Sequence, residues 1–311
     1  MRMAGGNDNV KGALVMVLSM ALFTLNDTFM KTLADEVSLY QILTLRNGAV
    51  TVVLLVLAWR MGGLRKGLTR RDAGLAVIRG LAEVATAYFF LTALFNMPLA
   101  NVTAVLQSAP LMVMLAAAIF LGEPIGWRRV TAVVAGFCGV LLIVRPGTEG
   151  FNVYSLYTLV AVLCLTVRDI VTRKLSPEAP TMLVTAITSG LVCLFFGAFS
   201  TGVDWVALTP RSGGMIAGAA LMVLGAYLSS VTAMRLGEVS FVSPFRYTAM
   251  LWALALGFVV FGEWPTGLTL IGAAVVVGSG LYSLWRETVR VRRDRDAQEK
   301  VARQRSYRPG A

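Results

Sequence analysis

Histidine is absent from the 311 residues, cysteine occurs three times, and charged side chains make up only 14% of the chain. Each scarcity removes a class of function. Without histidine there is no His-based acid–base catalysis and no His-ligated metal. Cys138, Cys164 and Cys193 lie in separate apolar runs with no C-x-x-C spacing, which argues against a disulfide or zinc framework and makes them small interior hydrophobes. No G-x-x-x-x-G-K-[ST] phosphate loop occurs, so the chain carries no ATPase of that type, and no Ser, Asp or Glu constellation singles out an enzyme. A charged share of 14%, against about 25% in soluble domains, with 57% hydrophobic residues and mean hydropathy +0.72, marks an integral membrane protein.

What is abundant is the apolar run. A bilayer-spanning helix needs about 20 apolar residues, because every backbone amide must be satisfied internally where no water is available. Ten such runs are legible, over 11–31, 39–59, 73–95, 99–121, 129–144, 153–174, 181–200, 214–235, 240–261 and 267–285, the fifth being short. The first run lacks a small-residue cleavage site and is followed by further spans, so it is expected to remain as a membrane helix.

The net charge of +11 is concentrated at membrane edges: five cations lie between Arg60 and Arg71 and nine between Arg286 and Arg308. Positive-inside bias explains these better than nucleic-acid binding, and it predicts an N-terminus (1–10) and a basic tail (286–311) that both face the cytoplasm of a cell whose inner membrane holds the protein.

Sliding the chain on itself by about 140 residues superimposes "TALFNMPLA" on "TAMRLGEVS" and "IFLGEP" on "VVFGEW", matching Glu123 with Glu263 and Gln107 with Tyr247. At 142 residues "NDTFMKTLADE" meets "RDIVTRKLSPE", which pairs Asp27 with Asp169 and Lys31 with Arg173. The fold expected is therefore all-α and integral to the membrane, ten transmembrane helices as two inverted five-helix repeats, 11–144 and 153–285. An odd number of spans per repeat forces the inversion, and inverted repeats around a shared midplane site are a transporter signature.

Those repeats, with "FLGE" and "FGEWP" closing the fourth and ninth runs, resemble the EamA family of the drug/metabolite transporter superfamily over residues 11–285. The stretches "NDTFMK", "IRGL", "FNVYSLY", "RDIVTRK" and "SPFRYTAMLWALALGFVVFGEWP" look most like the branch of S-adenosylmethionine uptake carriers; riboflavin and amino-acid carriers share the wider family. The resemblance implies movement of small organic solutes without a bound cofactor. Arg168 adds a cation where that branch is apolar, which weighs against a cationic substrate.

Ionisable groups inside a span are expensive, about 2.5–3.5 kcal/mol each, and so mark a cavity or a partner. On the expected topology Asp27, Lys31 and Arg46 lie toward the outer ends of their helices, Arg79, Arg168, Asp169, Arg173 and Arg246 toward the inner side, and Glu83 nearer the middle. Two gates are expected: Asp27 with Lys31 or Arg46 outside, and Asp169 with Arg79 or Arg246 inside, coupled to ions, protons or exchange. The plainer alternative is static staples, with Lys31 and Arg173 snorkelling to headgroups. Glu83 stands four residues after Arg79, a spacing for either pairing or a proton site. Glu123 and Glu263 follow glycines at helix ends and read as loop or cap residues.

Pro110 and Pro244 fall within the fourth and ninth runs, where proline removes a backbone hydrogen bond. A broken helix beside Gln107, Arg246 and Tyr247 is where a substrate site is expected, with Tyr88, Phe89, Phe90 and Trp252 as aromatic walls. Gly136, Gly139, Gly272, Gly278 and Gly280 read as close helix-packing positions. The functional expectation is a secondary transporter of a small polar, partly aromatic or zwitterionic metabolite; a non-transporting sensor or a channel is the alternative. No metal and no nucleic acid is implied; the expected partners are the small-molecule metabolite and the lipid bilayer.

Overall fold

A computed structural model describes residues 6–62, 67–122, 126–145, 152–202, 204–236 and 239–306. Among them there is helix and no strand. The helices are α1 (Gly6–Thr32), α2 (Leu39–Arg60), α3 (Arg70–Asn96), α4 (Leu99–Leu106), α5 (Ala109–Phe120), α6 (Trp127–Val144), α7 (Tyr154–Arg173), α8 (Thr181–Ala198), α9 (Pro210–Leu236), α10 (Val239–Val242), α11 (Thr248–Phe261) and α12 (Gly267–Ser306), with 3-10 turns at Phe199–Gly202 and Ser243–Tyr247.

Nine described spans are long and apolar enough to cross a bilayer, and the short fifth one is Val130–Val144. Leu14, Leu18, Phe120 and Val259 point outward with 52–76% exposure, the apolar face that lipid covers. The last helix does not stop at the membrane edge: α12 runs on through the basic tail to Ser306.

The fourth and ninth spans are each broken. Pro110 has no N–H to offer the Leu106 carbonyl, and the chain turns at Gln107 and Ser108, where the Ser108 amide donates to the Val105 carbonyl at 3.0 Å in 3-10 fashion. In the ninth span Pro244 sits in the 3-10 turn Ser243–Tyr247, between α10 and α11. The two breaks are repeat counterparts, and they touch: the Gln107 side-chain amide donates to the Arg246 carbonyl at 3.4 Å.

Packing follows the repeat. The main contacts are α1 with α9, α3 with α7, α2 with α8, and α6 with α12. The first two are images of each other under the repeat, and the last two are their own images, so the pseudo-two-fold axis passes between α2 and α8 and between α6 and α12. At the first crossing Ser189 donates to the carbonyl of Asn47, its counterpart 142 residues earlier, at 3.1 Å. At the second, a Cβ on Gly139 would lie 2.8 Å from the Gly272 carbonyl, and one on Gly272 would lie 2.6 Å from the Gly139 carbonyl.

Gly136 and Gly280 are equally crowded, against Leu111 and against the Tyr247 hydroxyl, but Gly278 has open space around its Cα and does not pack a helix. Cys138 also departs from expectation: it is exposed on the outside of α6, because the 3.6-residue period turns it away from the Gly136 and Gly139 seam. Replacing Gly272 with alanine should force α6 and α12 apart. Overpacking of this kind costs about 1–3 kcal/mol, and a lower melting temperature in detergent, with Gly278→Ala unchanged, is the expected pair of results.

Candidate functional site

The intramembrane charges do not fall into two separate gates. A small cavity of about 40 Å3, room for two or three waters, lies beside the α2–α8 crossing. Arg46 and Asn47 of α2, Arg79 and Glu83 of α3, Ser189 of α8 and Tyr227 of α9 line it. Arg46, expected at an outer gate, thus shares a cavity with Arg79, expected at an inner one. The reason is depth: Arg46 is seven residues into α2 and Arg79 nine into α3, so at 1.5 Å per residue they reach about 10 and 14 Å from opposite ends of a layer about 30 Å thick.

The pairings differ from expectation too. Glu83 does not pair with Arg79; its Oε2 accepts from Nη1 of Arg168 at 2.9 Å. The same guanidinium grips Asp169 Oδ1 through Nη2 at 2.8 Å and Nε at 2.9 Å, so Asp169 is held by its neighbour rather than by Arg79 or Arg246. Arg79 instead donates from Nε to Thr172 Oγ1 at 3.0 Å and from Nη1 to Thr188. Threonine hydroxyls on the two facing helices, α7 and α8, satisfy its fork in place of Glu83.

Asp27 makes no ion pair within 4.0 Å among the described residues; Asn26 donates to its Oδ1 at 3.0 Å and accepts from Arg46 Nη1 at 3.3 Å, bridging the two. The Nε of Arg46 is buried without a hydrogen-bond partner.

Lys31 is not a snorkelling anchor. With its side chain only 10% exposed, its ammonium donates to Glu263 Oε1 at 2.6 Å and to the Met97 carbonyl at 2.5 Å, and lies 5.0 Å from the centre of the Phe261 ring. Glu263 is therefore more than a loop residue. Gly262, at φ +65°, closes α11 with a left-handed αL cap in which the Gly262 amide donates to the Phe258 carbonyl, and the Glu263 amide donates to the Gly257 carbonyl. That turn aims the Glu263 side chain at the next helix start, where Oε2 accepts from the Leu99 amide at 2.9 Å. One carboxylate ties the ends of α1, α4 and α11 together. Its repeat counterpart, Glu123, lies outside the described residues.

The expected aromatic walls are elsewhere. Tyr88 and Phe89 join Tyr157 and Tyr154 in a chain of ring contacts at 5.3–5.6 Å between α3 and α7. Phe90 packs in the apolar clusters around Leu94 and Val102. Trp252 is 38% exposed and does not line the cavity. Tyr247 is buried, its hydroxyl unpartnered at the Gly280 backbone. Asn47, Thr185, Thr188, Ser189 and Tyr227 are the polar cavity residues that the sequence did not single out, and Asn26 is the unforeseen bridge between Asp27 and Arg46. Their signal was the match of "NG" at 47–48 with "SG" at 189–190, small polar pairs at repeat-equivalent places.

Ten apolar helices in two inverted repeats, with both repeats broken at the axis beside buried charges, define a membrane carrier rather than an enzyme. The EamA-like transporter family matches residues 10–145 and 153–285, and the chain belongs to that family, within the drug/metabolite transporter superfamily. It is 27% identical to an S-adenosylmethionine uptake transporter of Rickettsia felis, over 91% of this chain and 95% of that one. It is also 26% identical to a riboflavin transporter of Vibrio cholerae, covering 80% and 84%, and 23% identical to a pseudopaline exporter of Pseudomonas aeruginosa, covering 86% and 93%. A solved crystal structure shares the fold with TM-score 0.61 at 18% identity, over 88% of this chain and 96% of the other.

Proposed function

We propose that this protein is a secondary transporter that moves a small polar or zwitterionic organic metabolite across the inner membrane by alternating access, coupled to an ion or proton or by exchange, with both termini in the cytoplasm. The observation that carries this reading is the meeting of the two broken helices, Gln107 against Arg246, in a bundle whose charged cavity both repeats line. Broken helices leave backbone groups available to a solute, and charges at the interface of the repeats bind it while the repeats rock.

The cavity as it stands, about 40 Å3, is large enough for a few waters and too small for a metabolite, so loading requires the repeats to move. The Lys31 end is tied shut by Glu263, whereas Glu83, Arg168 and Asp169 keep 20–37% side-chain exposure, which gives water a path from the Arg168 end. Under the positive-inside orientation that end faces the cytoplasm.

Asp27 is the carboxylate best suited to couple transport, since it is tethered to Arg46 only through Asn26. Asp27→Asn and Asp169→Asn should abolish solute flux or uncouple it from the ion gradient. The test is uptake into proteoliposomes of S-adenosylmethionine, riboflavin and amino acids, the solutes named for relatives and the wider family. Saturable, ionophore-sensitive flux is the expected result; non-saturable conductance or none would remove the transporter reading, and full coupled flux in both asparagine variants would remove the coupling role.

A further inference from the structure

We infer that the α2–α3–α8–α9 cavity is a carboxylate subsite: Arg46 and Arg79 hold the carboxylate of the transported solute, with Tyr227 as a third donor. This rests on the transporter reading and deepens it, by naming the group of the substrate that the protein reads.

The cavity is built of donors that have nothing strong to donate to. Arg46 gives one guanidinium N–H to the Asn26 side-chain oxygen at 3.3 Å, a long contact, and its buried Nε gives none. Arg79 is met by the hydroxyls of Thr172 and Thr188 and by no carboxylate within 4.0 Å among the described residues. The Tyr227 hydroxyl has no hydrogen-bond partner there, although its ring is fixed edge-on against Phe23 at 5.3 Å. The acceptors, by contrast, are taken. Glu83 is engaged by Arg168, and the Asn47 side-chain oxygen accepts from Ser189 at 3.3 Å. A site of free donors and occupied acceptors selects a ligand group that only accepts, and a carboxylate offers two oxygens with about four lone-pair directions and no proton.

Charge points the same way. Among the groups that line the cavity, Arg46 and Arg79 face one carboxylate, Glu83, an excess of one positive charge where bulk water is largely excluded. One carboxylate cancels that excess, whereas a dianionic phosphate overshoots and an amine doubles it. Guanidinium forks also match carboxylate geometry, which an ammonium would not.

The asymmetry lies in the repeats themselves. The counterpart of Asn47 across the axis is Ser189, 142 residues on, and Arg46 correspondingly falls opposite Thr188. The first repeat supplies the cations and the second supplies hydroxyls. A solute lying across the axis is therefore read at one end by charge and at the other by neutral polar groups, which a carboxylate with a larger polar body satisfies.

The experiment measures thermal shift and proteoliposome uptake with matched solutes on the full chain: S-adenosylmethionine against its decarboxylated form, L-tyrosine against tyramine, and riboflavin, which has no carboxylate. The expected result is that at least one acid stabilises the protein and is carried while its decarboxylated partner is at least 10-fold weaker. Arg46→Gln and Arg79→Gln should then each weaken the acid by about 10- to 100-fold, the size of a lost charge-assisted contact, and collapse the ratio between acid and partner. Arg46→Lys and Arg79→Lys keep the charge and guard against misfolding; they should retain part of that ratio.

Transport of tyramine, decarboxylated S-adenosylmethionine or riboflavin as well as of any acid overturns the carboxylate assignment and leaves the transporter standing. An unchanged ratio in both glutamine variants overturns the roles of Arg46 and Arg79. Absence of both shift and flux with every solute counts against the transporter reading itself, and this inference falls with it.

Discussion

Glu83→Gln is expected to lower the melting temperature of the purified protein by about 5 °C and to abolish solute flux, and Arg168→Gln should do the same. Arg168 is the hub of the network: one face of its fork takes Glu83 at 2.9 Å and the other takes Asp169 at 2.8 Å. Removing one partner of a buried pair costs about 3–5 kcal/mol, because the remaining charge keeps its desolvation without its counterion. The side chains here are 20% and 22% exposed, so water offsets part of that and the lower figure applies. At about 2.1 cal/mol/K of unfolding entropy per residue, a 311-residue chain shifts by roughly 1.5 °C per kcal/mol, so some 3 kcal/mol corresponds to about 5 °C.

The decisive measurement is the double variant. Removing both charges together leaves only Asp169, the most exposed of the three side chains at 37%, without its cation, so Glu83→Gln with Arg168→Gln should lose clearly less stability than the two single losses added together. If the two losses simply add, the pair is not a unit and the network drawn here is wrong. Flux should stay absent in the double variant even where stability returns, since Asp169 and Arg79 then face one another's helices without the intervening cation.

Much of this architecture was legible in the chain, and the reasons are physical. A span must satisfy its own backbone, so each appears as an apolar run of limited length, and the runs match the membrane spans within a few residues, although α12 continues past its span to Ser306. Proline at 110 and 244 forecast the two breaks because a missing N–H acts locally. The charged residues were equally visible, since nothing hides an arginine among leucines. Their partners were not. Spacing along one helix favoured Asp27 with Lys31 and Arg79 with Glu83, but the donors are long side chains that reach about a helix diameter sideways. The partner chosen depends on what the neighbouring helix presents: Thr172 and Thr188 for Arg79, Glu263 for Lys31, Glu83 for Arg168.

Depth failed for a related reason. Helix ends were the only rulers available, and counting from opposite ends disguised how closely Arg46 and Arg79 approach. Tyr227 and Ser189 escaped notice because a hydroxyl in an apolar run carries little signal by itself; only the axis gives it a role.

Breaking the Lys31–Glu263 tie should open the opposite end of the carrier. Glu263→Gln or Lys31→Met is expected to raise the access of a membrane-impermeant thiol reagent, presented from the Lys31 face, to a cysteine placed at Thr185 in a background without Cys138, Cys164 and Cys193. Thr185 lines the central cavity, so it reports whether water reaches the site from that side. The lysine is 10% exposed and bonded at 2.6 Å, and its loss of partner should shift the equilibrium between closed and open by about 10- to 100-fold. Labelling at the wild-type rate in both variants would show that the tie is a staple with no part in closure.

Charge reversal separates the two jobs of Glu263. In Lys31→Glu with Glu263→Lys the ion pair is restored, but a lysine cannot accept the Leu99 amide that Glu263 Oε2 takes at 2.9 Å, so α4 loses its cap. Closure should therefore recover only in part. Full recovery would mean that attraction between α1 and α11 alone holds that end shut; none would mean that the cap on α4, which fixes the helix leading to the Gln107 break, is what couples the end of the carrier to its centre.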